Sequence, residues 1–132
     1  MVTYEEFEEL LFSLADEVPQ KYYVELNGGI MAREEVKMHP QSLRNDLYVM
    51  GEYHRDKVLG RFVVLYYGSF MRLYSTLEPE ELSVYMRKTL LHELQHHLES
   101  LAGEKDLEIE DAIYIAKYKH KIEEIKKRRE EE

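Results

Sequence analysis

The sequence predicts an α+β fold, and three observations lead to this prediction. Apolar residues near the N-terminus recur at helical spacing. Residues that favour strands dominate two segments in the middle of the chain, at 47–53 and 59–67. Helical patterns return after Pro79 and continue almost to the end. This order favours a small mixed or antiparallel sheet that packs against a long helix.

The first helix has clear signals at both ends. Thr3 followed by Glu6 fits a capping box at the start, and Pro19 marks the end. The apolar residues between them share one helical face: Phe7, Leu10, Leu11, Leu14 and Val18.

Three segments that favour strands follow this helix. Residues 30–36 predict a short strand after the Asn-Gly-Gly turn signal at 27–29. Residues 47–53 and 59–67 predict two further strands, with a hairpin connection at 54–57. The run 62–67 is continuously apolar, which is typical of an inner strand that is covered on both faces.

Two helices complete the chain. Pro79 fits the first turn of a long helix that reaches Ala102, with Gly103 as its C-terminal stop. The last helix runs from about Glu108, and its end from about residue 119 is predicted to be a solvated, charged helical tail. With 132 residues, the chain is predicted to form a single domain over 1–132.

Charge and composition restrict the function and the location. The formal net charge of −9 argues against binding to nucleic acid or to an anionic membrane, because phosphate contacts need an excess of Lys and Arg. The chain has no cysteine, so a metal would be held by histidine and carboxylate side chains. The acidic N-terminus does not resemble a signal peptide, which predicts a cytoplasmic protein. No sequence feature indicates an oligomeric state.

The motif that carries chemistry is H-E-x-x-H at residues 92–96. Because an α-helix turns about 100° per residue, His92 and His96 lie one turn apart on the same face and can share one cation. Glu93 lies beside that cation, where it can act as a general base on a water molecule. The motif therefore predicts a zinc site with His92 and His96 as ligands and Glu93 as the catalytic residue.

The rest of the long helix supports this interpretation. Viewed along the axis, Glu99 falls close to the two motif histidines. A leucine face lies on the opposite side, and it contains Leu90, Leu91, Leu94, Leu98 and Leu101. A histidine that only fills the core would lie among the leucines, whereas His97 is the one that falls near their edge.

The segment HELQHHLE at 92–99 resembles the H-E-x-x-H-H signature of the small bacterial zincin-like metallopeptidase family. The segments LGRFVVLYYGSF and LAGEKDLEIED are similar to that family too. The resemblance implies a compact zincin-like domain with one zinc ion and a peptidase activity. Many relatives have glycine and then an acidic ligand at the places held here by Glu99 and Ala102.

This departure leaves several candidates for a third zinc ligand. Glu99 is favoured because it lies on the metal face one turn beyond His96, and helical side chains lean towards the N-terminus. Glu104, Asp106 and Asp111 are the alternatives.

Two functions follow from these observations. The first is a zinc metallopeptidase that hydrolyses peptide or protein substrates through a zinc-bound water activated by Glu93. The alternative is a metal-binding interaction module without turnover, because a chain of 132 residues has little room for substrate subsites.

Overall fold

The structure is a computed structural model that describes residues 1–131. Within that range, a three-stranded sheet is combined with four α-helices and a short 3-10 helix at Gln20–Tyr23. The elements in chain order are α1 (Tyr4–Glu17), β1 (Gly29–Arg33), β2 (Gly51–Asp56), β3 (Gly60–Tyr66), α2 (Tyr67–Tyr74), α3 (Pro79–Glu104) and α4 (Ile109–Glu131). The long helix α3 packs against the sheet. The predicted α+β architecture is therefore confirmed.

The sheet is mixed, with strand order β1-β3-β2. Strand β3 pairs parallel with β1 and antiparallel with β2, so β2 forms one edge of the sheet. The side chains of β3 from Phe62 to Tyr66 are all buried. The prediction of an inner strand covered on both faces is confirmed.

The predicted hairpin connection at 54–57 was placed too early. Strand β2 extends to Asp56, and the turn that follows occupies residues 57–59. The Asp56 carboxylate accepts hydrogen bonds from the backbone N–H groups of Val58 and Leu59. These bonds stabilise the turn at 57–59. Strand β2 correspondingly begins at Gly51, and residues 47–50 precede it.

Two short helices were not predicted. Residues 67–74 form α2 directly after β3, in a segment for which the sequence predicts no helix. Gln20–Tyr23 forms a 3-10 helix immediately after Pro19. Both are short, so their apolar residues give too few repeats to reveal a period.

The hydrophobic core lies between α1, α3 and one face of the sheet. The predicted capping box of Thr3 and Glu6 is present at the start of α1. Phe7, Leu11 and Leu14 on the inner face of α1 are buried. They belong to the same cluster as Val63 and Leu65 of β3. This packing fixes the sheet against α3 and so determines which side of α3 is left to solvent.

The end of α3 differs from the prediction, because Gly103 does not stop the helix. Helix α3 continues to Glu104, and the backbone leaves it at Lys105. The left-handed residue is Asp106, with φ of 52°, and aspartate tolerates this conformation better than most residues. Helix α4 then begins at Ile109 and continues to Glu131. None of the helices described in residues 1–131 is long and apolar enough to cross a membrane.

Candidate metal centre

Helix α3 brings three potential metal ligands together on one side. Atoms of His92, Glu93 and His96 lie within 4.8 Å of one another. The helix is well supported at its start by Pro79 in the first turn and by acidic residues near the positive end of its dipole. The spacing predicted from the motif is therefore realised in the structure.

The imidazoles of His92 and His96 face each other through their Nε2 atoms. The Nε2 atoms of His92 and His96 are 3.0 Å apart, and the ring planes are nearly perpendicular at 86°. Two nitrogens bound tetrahedrally to one zinc ion at about 2.05 Å would be separated by about 3.3 Å. The donor atoms thus already stand near the separation that a zinc ion requires.

Glu93 differs from both histidines because it is buried, with only 6% of its surface exposed. Burial raises the pKa of Glu93 to about 7, against an opposing effect of His96 and with a smaller increase from Glu52. A carboxyl group with a pKa near neutrality can both accept and release a proton at that pH. The catalytic role of Glu93 stays a prediction.

Strand β2 approaches α3 closely beside Glu93, and Gly51 makes this possible. A Cβ atom at position 51 would lie 2.7 Å from Cγ2 of Thr89 and 3.0 Å from the backbone oxygen of Val64. It would also stand 3.5 Å from the Cγ atom of Glu93. The lack of a side chain at Gly51 therefore places the edge strand directly against the motif.

A cleft of about 620 Å³ opens along this junction. Its walls come from the edge strand and from α3, and they are formed by Gly51, Glu52, Tyr53, Arg55, Glu93, His96, Glu99 and Ser100. A second cleft of about 490 Å³ reaches His92 and Glu93, and His39 and Tyr48 are among its lining residues. Two clefts thus lead from solvent to the motif.

The outer edge of β2 has backbone groups available for pairing. The Tyr66 amide donates to the Met50 carbonyl, so the backbone groups of Met50 face β3. In an antiparallel pair, the backbone groups of successive residues face the partner strand and the free edge in turn. With the observed register, Gly51, Tyr53 and Arg55 direct their N–H and C=O groups away from β3. No strand within residues 1–131 pairs with this edge. The sequence allows an edge strand next to residues 62–67 but does not show which strand it is, because strand order depends on contacts between distant segments.

Glu99 lies beside His96 but outside the group of three converging side chains. Its carboxylate accepts a hydrogen bond from Gln95 at 3.0 Å and stands 3.9 Å from Nδ1 of His96. That nitrogen is on the opposite side of the ring from the Nε2 atom that faces His92. The assignment of Glu99 as the third ligand stays a prediction.

The three alternative ligands lie in or beyond the last turn of α3. The Glu104 carboxylate accepts hydrogen bonds from Arg61 and Arg55. Asp106 is in the turn after α3, and Asp111 is exposed in the first turn of α4. None of the three belongs to the group formed by the motif residues.

His97 is a buried histidine, as its place near the leucine face predicted. Its Nε2 atom lies 2.7 Å from the Val24 carbonyl, which can only accept, so Nε2 carries the proton. Its Nδ1 atom then accepts from the Tyr53 hydroxyl at 2.8 Å, and that hydroxyl accepts from Arg61. Burial lowers the pKa of His97. Both ring nitrogens are used, and the side chain joins α3 to β2.

The leucine face is largely as predicted, with one exception. Leu90, Leu94, Leu98 and Leu101 are buried, whereas Leu91 is 46% exposed. Leu91 lies next to His92 in sequence and falls at the margin of the packed face, beyond the reach of the sheet.

Comparison with known proteins agrees with the geometry. A family model described as zincin-like metallopeptidase matches residues 33–114. A solved structure of a conserved hypothetical protein from Thermus thermophilus is similar, with 36% sequence identity and a TM-score of 0.66. That similarity covers 77% of this chain and 99% of the other. No curated protein matches significantly in sequence.

Proposed function

The chain belongs to the zincin-like metallopeptidase family, and from this premise we propose that it is a zinc-dependent peptidase. The observation that carries the proposal is the convergence of His92 and His96 through Nε2 atoms that are 3.0 Å apart. The buried carboxyl of Glu93 stands next to them. The proposed reaction is hydrolysis of a peptide bond in a peptide or protein substrate.

The residues present fit a zinc ion. Two neutral imidazoles and a nearby carboxylate are typical zinc donors, and the chain offers no thiolate that would favour another type of site. A bound zinc ion would polarise the scissile carbonyl and make a water molecule more acidic. His92 and His96 are the proposed ligands.

Glu93 is the proposed general base. Its carboxylate would accept a proton from the attacking water and then deliver that proton to the leaving amine. Burial supports this role, because it brings the pKa of Glu93 to about 7, where both protonation states are accessible at neutral pH.

Glu99 has two proposed roles that a measurement can separate. As a third ligand, its carboxylate would bind the ion directly. As a support for His96, it would accept a hydrogen bond from Nδ1 and hold the ring in place. The Glu99 carboxylate lies on the Nδ1 side of the ring, 3.9 Å from that nitrogen, so a shift of about 1 Å would form this hydrogen bond, which favours the second role.

The free edge of β2 is the proposed binding site for an extended substrate. Gly51, Tyr53 and Arg55 can pair with a peptide backbone in the manner of an added strand. Such a peptide would lie along the cleft next to Glu93 and His96.

Proline at position 55 tests this step because it removes one outward N–H group, whereas Arg55→Ala retains it. Equal peptide binding by R55P and R55A would contradict strand addition.

The alternative is a metal-binding interaction module without turnover. The cleft favours it in one respect, because most of its lining residues are polar and a peptide side chain would find little apolar surface there. Such a module would bind zinc and a partner but would not cleave it.

The decisive experiment compares the zinc-loaded full chain with Glu93→Gln on a mixture of unfolded proteins and peptides. We expect Glu93→Gln to retain zinc and to lose about 10²- to 10⁴-fold in rate. Glu81→Gln, at the exposed start of the same helix, serves as the matched control and should cleave normally. If the zinc-loaded wild-type chain cleaves nothing, the result favours the interaction module over the peptidase. Normal cleavage by Glu93→Gln would refute the catalytic role of this residue.

A further inference from the structure

Helix α4 consists of two parts that meet at Ala116. In the first part, Ala112, Ile113 and Ala116 are buried against the rest of the protein. Beyond Ala116 the described residues are exposed, apart from Ile122, which is half-buried. At 1.5 Å per residue, residues 117–131 extend the helix by about 22 Å. This part, called the α4 extension below, contains no fully buried residue.

An apolar stripe begins at Ile115, just before the α4 extension, and continues along the extension. Ile115, Tyr118, Ile122 and Ile125 follow one another at intervals of three, four and three residues, which is the spacing of the a and d positions of a heptad. Tyr118 is 58% exposed and Ile125 is 38% exposed. At about 100° per residue, the stripe lies roughly 140° around the axis from Ala116. It therefore faces away from the surface that holds the helix in place.

Basic residues border the stripe on both sides. With Ile115 at position a, the flanking e and g positions hold Lys119, Lys121, Lys126 and Arg128. Residues 117–129 contain seven basic and two acidic side chains, although the chain as a whole has a net charge of −9. Lys105, which follows α3, adds a further positive charge beside Lys119 and lowers the pKa of Lys119.

From this pattern we propose that the α4 extension is a docking helix for a protein partner that presents an amphipathic helix with acidic flanks. The apolar residues of the partner would pack on the stripe, as in helix-in-groove and coiled-coil recognition. Its Asp or Glu side chains would pair with the basic flanks and set partner choice. The stripe begins after residue 114, where the family match ends, so this interaction goes beyond the proposed peptidase activity.

Two other occupants fit less well. A second copy of the chain would bring Lys and Arg at e and g against Lys and Arg in either orientation, which is repulsive. An anionic lipid surface would favour a broad apolar face with Trp, Phe or Leu, whereas this stripe is narrow and has none of these. Glu123 and Glu124 in the same segment would also be repelled by such a surface.

The test uses two designed peptides of about three heptads with Ile and Leu at a and d. One has Glu at every e and g position, and its twin has Lys there. Binding of each to the full-length chain is measured by fluorescence anisotropy. We expect the Glu peptide to bind at least about tenfold more tightly than the Lys peptide. The double variant Ile122→Asp with Ile125→Asp should lose at least about tenfold in affinity for the Glu peptide.

A charge reversal with a matched control identifies the contribution of the flanks. Lys121→Glu with Lys126→Glu should weaken binding of the Glu peptide and strengthen binding of the Lys peptide. Lys117→Glu with Lys127→Glu changes the net charge equally but lies outside the flanks, so its effect should be less than about threefold. Circular dichroism and zinc content verify that each variant remains folded.

Three results would overturn the proposal. The first is equal binding of the Glu and Lys peptides, or binding that survives the stripe substitutions. The second is a dimer in sedimentation equilibrium that the stripe substitutions dissociate, which would assign the stripe to a second copy. The third is stripe-dependent binding to phosphatidylglycerol vesicles without binding to the Glu peptide.

Discussion

His96 and His97 are consecutive in the chain, yet they lie on different faces of α3 and have opposite environments. His96 has 48% of its side chain exposed, and its Nε2 atom faces only that of His92. His97 is fully buried, and both of its ring nitrogens are hydrogen-bonded to protein groups. The helical rotation of about 100° between neighbours is enough to separate a candidate ligand from a structural residue.

This comparison shows what distinguishes a metal site from a well-packed polar core. A ring nitrogen can bind an ion only if the protein has not already used it. On the His97 side, each donor and acceptor has a partner, so that side contributes stability and specificity to the fold. On the His96 side, the Nε2 atoms point at each other without another protein partner, so that side is suited to bind an ion.

The largest expected difference between the two faces is in zinc affinity. His96→Ala removes a proposed ligand and should weaken zinc binding by more than about a hundredfold. His97→Ala should change the affinity by less than about tenfold, because its nitrogens do not face the site. Competition with a chelator measures both constants. The comparison fails if the two variants lose zinc equally while both remain folded.

In stability we expect the reverse order, with a larger loss in His97→Ala than in His96→Ala. His97→Ala leaves a cavity and removes the partners of the Tyr53 hydroxyl and the Val24 carbonyl. It should lower the free energy of unfolding by about 2–4 kcal/mol. His96→Ala, at an exposed position, should change it by less than about 1 kcal/mol in the metal-free protein. Urea denaturation provides both values, and similar losses would argue against separate roles.

Glu93 and His97 should make the stability of the metal-free protein depend on pH in opposite directions. The folded pKa of Glu93, about 7, is above its ordinary value of 4.5. The stability that its protonated form provides is therefore full below about pH 4.5 and is lost as the pH rises through 7. Glu93→Gln should raise the free energy of unfolding by about 1–3 kcal/mol at pH 8 and by almost nothing at pH 4.

His97 should show the opposite behaviour, because burial lowers its folded pKa below the ordinary value of 6.5. Its contribution is full above pH 6.5 and decreases as the pH falls towards the lowered pKa. His97→Gln should flatten this acidic limb of the stability curve. An acidic limb that is unchanged in His97→Gln would show that another group causes it.

The smallest expected effect concerns Glu99. If its carboxylate holds His96 through Nδ1, Glu99→Ala should weaken zinc binding by about tenfold. Glu81→Ala, at the exposed start of α3, is the control and should leave zinc affinity unchanged. A loss as large as that of His96→Ala would instead identify Glu99 as the third ligand.

The sequence predicted the parts of the molecule that depend on local spacing. The motif, the capped first helix and the buried face of Leu90, Leu94 and Leu98 all follow from periodicity within one element. Tyr53 and Arg61 were not identified, because their link to His97 joins segments that are far apart in the chain. Gly51 was not identified, because the close approach of β2 to α3 does not affect the residue periodicity of either element.

Gly51 has a consequence for any segment that adds to the edge of β2. With no atom at the Cβ position, the strand rests on α3 near Thr89 and Glu93, so the height of this strand above the imidazoles is fixed by van der Waals contact. Even a methyl group at position 51 would act as a wedge and lift the strand. The distance between a bound segment and the motif would therefore be set at a residue that has no functional group.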